Sequence, residues 1–153
     1  MRQIYLDNAA TTKVDERIVK AMMPYFGEKY GNASSSHSFG KESRDAMEKA
    51  REIIAKSINA SANEIIFTSG GTEANNLAIK GPFWHPENMK AGKRNIITTK
   101  IEHPSILEVC KFIDNHQANA KLLDVDSEGL IDLKQLENSI DKDTLLVSVI
   151  QGN

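Results

Sequence analysis

The sequence predicts an α/β domain, a mainly parallel sheet flanked by helices. Three observations carry this. From Glu64 to the end, runs of strand character alternate with helical runs, the pattern of a helix-covered parallel sheet. Thr144-Leu145-Leu146-Val147-Ser148-Val149-Ile150 is nearly all apolar, as expected of a strand buried on both faces. Three polar or glycine-rich stretches, Ser69-Gly70-Gly71-Thr72, Glu102-His103 and Gln151-Gly152-Asn153, each follow a strand-like run. Open α/β sheets bind ligands at that end of their strands.

Composition narrows the class. A chain of 153 residues fits one domain and can bury a core. Its 19 basic and 21 acidic residues are mixed and sum to −2, which does not suggest a nucleic-acid or membrane-surface protein. No apolar run reaches the length of a membrane span, and Met1 to Asp7 lacks the apolar segment of a signal peptide. Cys110 stands alone, which excludes an internal disulfide and fits a reducing, cytoplasmic setting. His37, His85, His103 and His116 are scattered without metal-ligand spacing.

In chain order, the short apolar run Ile4-Tyr5-Leu6 ends in the small-residue loop Asp7 to Thr12. The residues before Asp15 are expected to pack elsewhere than on the sheet, so the domain proper is read as 15–153 and residues 1–14 as an N-terminal segment. Asp15 caps a helix with Ile18, Met22, Tyr25 and Phe26 on one face. Gly31 to Ser38 is a long polar loop, in which His37 and the serines fit loop structure and helix capping. A helix over Gly40–Ile58 sets Ala46, Ala50, Ile53, Ile54 and Ile58 to one side, with Asp45–Lys49 and Glu52–Lys56 as i,i+4 pairs on the other. A strand over Glu64–Thr68 enters the Ser69-Gly70-Gly71-Thr72 turn, and the helix beyond it is expected to stop before Gly81-Pro82.

Phe83 to Lys93 reads as a surface excursion, and Asn95–Thr99 as a β-rich strand. Pro104 suits the first turn of a helix whose apolar face is Ile106, Val109, Cys110 and Ile113. A strand over Lys121–Val125, a turn at Asp126–Gly129 and a short helix with Asp132 and Gln135 in capping-box positions precede the last strand.

A Gly-Gly turn that opens a helix leaves backbone N–H groups and the positive end of the helix dipole facing outward, which suits a phosphate. The same turn also serves where a chain merely reverses. An imidazole at His103, between a strand and a helix started by Pro104, can lie over a ligand and exchange protons near neutral pH, or can simply bond the helix backbone. Cys110 on an apolar helix face reads as a small hydrophobe, and Lys100 as a solvated lysine. The turn lacks the Lys-Ser/Thr ending of a P-loop, which disfavours a nucleotide site.

Tyr5-Leu6-Asp7-Asn8-Ala9-Ala10-Thr11-Thr12, Gly31-Asn32-Ala33-Ser34-Ser35-Ser36-His37, Phe67 to Asn76 and Glu102-His103, in this order, resemble the N-terminal part of cysteine desulfurases of the NifS/IscS type. These are pyridoxal phosphate (PLP) enzymes of aminotransferase class V. The resemblance covers the whole chain and implies part of the fold type I large domain. It implies that Gly71 and Thr72 bind the PLP phosphate, and that His103 stacks on the cofactor ring and takes part in proton transfer. Asn153, or the residue after it, contacts the cofactor.

It further implies L-cysteine as substrate, L-alanine as product, and a persulfide passed to an iron–sulfur scaffold or other acceptor protein, from a homodimer or with a complementary C-terminal chain. Family members are much longer than this chain. The lysine that holds the cofactor, the aspartate facing its ring nitrogen, the persulfide cysteine and the substrate-carboxylate arginine match nothing here; Lys100 and Cys110 do not take those places. The alternatives are a selenocysteine lyase-like portion and a non-catalytic PLP-binding or interaction module.

Overall fold

The computed structural model describes residues 3–152. The chain divides into two compact units, Met1–Ile66 and Phe67–Asn153.

In the first unit, helix α1 (Glu16–Met22) starts where expected, with the Asp15 side chain accepting from the Arg17 N–H. A 3-10 turn, Met23–Phe26, follows. The predicted apolar face of Ile18, Met22, Tyr25 and Phe26 is exposed. Helix α2 (Ser38–Ser57) is capped by His37, whose Nδ1 accepts from the Gly40 N–H at 3.4 Å. Gly40 is buried because the Ser35 and Asn32 carbonyls press against it, leaving no room for a side chain. The loop before α2 is therefore a built turn, with Asn32 Oδ1 accepting from Ser34 N–H and Arg44 donating to the Ala33 carbonyl. Within α2 the ion pair among the described residues is Glu48–Arg51 at 3.2 Å, not the two expected i,i+4 pairs, and Glu42 pairs with Lys29 outside the helix. Arg51 is drawn inward to donate to the Ile65 carbonyl, and so lies close to Glu48.

The expected strand over Glu64–Thr68 is not one. Ala62–Glu64 forms a 3-10 turn held by a capping box between Ser61 and Glu64, and residues 65–68 run outside any sheet. The β-branched and aromatic residues do favour extended backbone, as Ile65 shows, but no strand pairs with them among the described residues.

The second unit holds the sheet. Strands β1 (Asn95–Thr99), β2 (Asn119–Leu123) and β3 (Thr144–Val147) are all parallel, in the order β2-β1-β3. Helix α3 (Gly71–Trp84) and helix α5 (Pro104–Asp114) pack together over β1. Ile79, Phe83, Ile96, Ile106, Val109, Cys110 and Ile113 form their common core. Helix α4 (Pro86–Lys90) follows α3, and α6 (Leu133–Ser139) lies between β2 and β3.

Four expectations are corrected here. Helix α3 runs through Gly81-Pro82 instead of stopping, and Phe83 belongs to the core instead of a surface excursion. Ile79 and Phe83, four residues apart, are each 1% exposed on the same face of α3. Their burial outweighs the helix bond lost at Pro82. Strand β2 begins two residues earlier than expected, at Asn119, and Val125 makes only an isolated bridge to Ile131. Strand β3 is shorter than Thr144–Ile150 and half-buried, because it lies at the sheet edge with one side unpaired among the described residues. The strand buried on both faces is β1.

Asp141 stitches the entry end of the sheet. Its carboxylate accepts from Lys121 on β2, Thr144 on β3 and Asn95 on β1, at 3.0 to 3.3 Å. The Lys121 bond, then that of Thr144, holds its carboxyl down at about 2. Since the folded value is depressed, the stabilisation is present above the unfolded value of about 4 and is lost as pH falls through the folded one.

Asp141→Asn should therefore flatten the loss of stability between about pH 4 and 2 in urea unfolding, relative to the parent chain. Phe83→Ala should destabilise by about 3–5 kcal/mol in the same assay at neutral pH. A change below 1 kcal/mol would show that α3 is not anchored there.

Candidate functional site

The site is built at the N-terminus of α3 and at the start of α5. Gly70 is the N-cap of α3 and carries no side chain to satisfy the first turn. Among the described residues, no acceptor pairs with the N–H groups of Gly71 and Thr72. The glycines are not required by backbone strain, since Gly70 is extended at φ 166° and neither Gly70 nor Gly71 has a left-handed φ. Nor are they required by crowding: a Cβ on either would meet nothing within 4 Å. Simple chain reversal does not call for either glycine, whereas they keep the exposed N–H groups uncovered.

The Ser69 N–H and hydroxyl both donate to the Glu73 carboxylate at 2.6 Å. The hydroxyl bond first, then the backbone bond, holds the Glu73 carboxyl below its ordinary value. With Ser69 so engaged, the donors left without a partner among the described residues include the Gly71 and Thr72 amides and the Thr72 hydroxyl. The Asn76 amide returns to the Thr72 carbonyl at 2.9 Å.

His103 is the N-cap of α5. Its Nδ1 accepts from the Ser105 backbone N–H at 3.1 Å and lies 2.7 Å from the Ser105 hydroxyl. Asn75, on α3, donates to that hydroxyl at 2.8 Å. Thr72 and His103 line one groove of about 440 Å³ between α3 and α5, together with Asn76, Lys80, Ser105 and Phe112. His103 thus bonds the helix backbone and faces the groove shared with Thr72. Its two readings are compatible.

Glu102 is 6% exposed and has a role that its sequence position did not reveal. Its Oε1 accepts from the Thr99 hydroxyl at 3.1 Å and from the Ile150 N–H at 2.7 Å. It fastens the end of β1, one residue before His103, to the segment leading into Gln151-Gly152. Asn153 lies outside the described residues.

Gly71 begins α3 next to Thr72. Asn75, Ser105 and Glu102 are the additions to the predicted site. The paired Asn75-Asn76 in the first turns of a helix and a serine two residues after His103 were the available signals.

Lys100 forms an exposed ion pair with Asp124 at 2.6 Å, as a solvated lysine does. Cys110 is 1% exposed, and burial, followed by the charges of Glu102 and Asp114, pushes its thiol up to about 11. It is a core residue, not a nucleophile. Among the described residues no cluster of His, Cys, Asp or Glu could hold a metal, and no helix is long and apolar enough to cross a membrane.

The second unit is thus an α/β arrangement in which Thr72, at the start of α3, and His103, at the start of α5, line one groove. The family profile Aminotransferase class-V matches residues 4–153, and the chain belongs to that family. Over 99% of its length it is 47% identical to the cysteine desulfurase IscS of Dictyoglomus turgidum, covering 38% of that protein. It is likewise 47% identical to the putative cysteine desulfurase IscS 1 of Bacillus subtilis, over all of this chain and 40% of that one. A solved NifS-like protein superposes with a TM-score of 0.89 at 43% identity, over 97% of this chain and 40% of its own. The chain therefore spans about 40% of the length of the relatives it matches.

Glu102→Ala should leave the Ile150 N–H unpaired and cost about 1–3 kcal/mol. Hydrogen exchange at Ile150 should quicken while that of β1 keeps its order. Unchanged exchange at Ile150 would show that the Glu102 bond does not hold the segment.

Proposed function

We propose that this chain supplies the phosphate cradle and the ring-facing histidine of a PLP-dependent cysteine desulfurase. The observation that carries the reading is the open N-terminus of α3 at Gly71 and Thr72, with Thr72 on one groove with His103. The donor set fits a phosphate ester. It includes the Gly71 and Thr72 amides, the Thr72 hydroxyl and the positive end of a 14-residue helix, with no Cβ on Gly70 or Gly71 to cover them. Relatives named as cysteine desulfurases at 47% identity support the same assignment.

In this reading Gly71 and Thr72 would hold the phosphate, His103 would stack on the cofactor ring, and Asn153 or the residue after it would add a contact. The cofactor, once bound, supplies an electron sink for bonds broken in the substrate. The protein's share is positioning and proton movement. The His103 Nδ1 is occupied by Ser105, so the atom free to exchange a proton toward the groove is Nε2. Glu102 steadies the strand end from which His103 projects.

The reaction of the complete enzyme is L-cysteine to L-alanine, with sulfur retained as a protein persulfide for an iron–sulfur scaffold or another acceptor. We place it in the cytoplasm and as a homodimer. Residues 1–14, of which 3–14 are exposed, would pack against the remainder of such an enzyme, and 15–153 would form part of its cofactor-binding domain.

A second reading concerns the chain acting alone. Lys100 is ion-paired and the Cys110 thiol is buried and pushed up to about 11, so neither suits a covalent step. By itself the chain is then a PLP-binding module without turnover.

Titration with PLP, followed by absorbance and fluorescence, should show binding to the parent chain, weakened about tenfold or more by Thr72→Ala and by His103→Ala. Unchanged binding in both variants would sink the assignment. With L-cysteine and PLP the chain alone should release no alanine; alanine release with cofactor trapped by borohydride on one of its lysines would contradict the second reading.

A further inference from the structure

The groove holds a polar arrangement that cofactor binding does not by itself require. An N–H can only donate, so the Ser105 backbone N–H at 3.1 Å from Nδ1 of His103 requires a lone pair on that nitrogen. With Nδ1 an acceptor, the Ser105 hydroxyl at 2.7 Å can bond the ring only by donating, sharing the one Nδ1 lone pair with the backbone N–H. The hydroxyl oxygen is then left to accept, and the Asn75 amide meets it at 2.8 Å with a group that can only donate. Every donor in the chain points one way. It starts on α3 at Asn75, three residues after Thr72, crosses to α5, and ends on the imidazole.

We propose that Asn75 and Ser105 are positioning residues for His103, a one-way donor relay that fixes the neutral ring in its Nε2–H tautomer. This rests on the reading of the groove as the cofactor site. His103 then enters the reaction carrying its proton on Nε2, as a donor toward whatever lies in the groove. To act as a base at Nε2 it must first surrender that proton. Taking one at Nδ1 instead would turn an acceptor into a donor facing the Ser105 N–H, and would break the cap of α5. The relay thus ties the protonation of His103 to the junction of α3 and α5, the helix pair that frames the groove.

The test reads the tautomer by long-range ¹H–¹⁵N correlation on ring-labelled histidine in the chain without cofactor, with His103 assigned by His103→Gln. The parent should show Nδ1 bare and Nε2 protonated. Ser105→Ala should lower the ratio of Nε2–H to Nδ1–H about fivefold, and Ser105→Thr should restore it. Asn75→Asp offers only acceptors, so the Ser105 hydroxyl should turn toward the carboxylate and the ratio should again fall. A folded Asn75→Asp chain with the parent ratio, or a parent ring protonated at Nδ1, overturns the relay. A cap acting only on stability would move the unfolding midpoint and leave the ratio unaltered. The tautomer is read without cofactor. A parent chain that binds no PLP therefore overturns the cofactor reading alone, and an unaltered ratio overturns the relay alone.

Discussion

The second unit depends on the burial of β1. Ile96, Ile97, Thr98 and Thr99 are each at most 1% exposed, paired to parallel strands on both edges and roofed on one face by α3 and α5. A strand so enclosed has no freedom of register, because a one-residue slip would exchange its two buried faces. The groups of chemical interest hang from its carboxyl end. Glu102 turns back to bond Thr99 and the backbone after β3, and His103 follows to start α5. The core shared by Ile79, Phe83, Ile106, Val109 and Ile113 fixes α3 against α5, and so fixes Thr72 relative to His103. At the opposite end, Asp141 bonds a residue of each strand.

Electrostatics at the head of α3 involves competition. The helix dipole favours negative charge there, and Glu73 already supplies some, held by both Ser69 donors. A phosphate arriving at Gly71 and Thr72 would meet that carboxylate nearby. The arrangement keeps Glu73 engaged with Ser69, and the donors beyond it stay uncovered because Gly70 and Gly71 place no side chain over them.

Much of this was legible in the sequence. The apolar spacing of Ile106, Val109, Cys110 and Ile113, with Pro104 in front, specified α5 and its buried face, and the turn residues at 69–72 specified the open helix start. What was missed has physical causes. Proline at position 82 reads as a helix stop, and only the burial of Phe83, a tertiary effect, carries α3 past it. Ile65 to Thr68 has strand composition, but a strand needs a partner, and none pairs with it among the described residues. The run Thr144–Ile150 is apolar enough for a central strand, but edge or centre is decided by strand order, which no single segment encodes. Ser105, Asn75 and Glu102 matter through hydrogen bonds spanning 2, 30 and 48 residues, and only the first of these is local.

The central claim is that the amides at the head of α3 receive the phosphate of PLP. The most direct measurement follows the backbone ¹H–¹⁵N signals of the chain during titration with PLP, inorganic phosphate and pyridoxal. Gly71 and Thr72 should shift with PLP and with phosphate and stay in place with pyridoxal, which lacks the ester. PLP binding with Gly71 and Thr72 unmoved, or an equal response to pyridoxal, would contradict it.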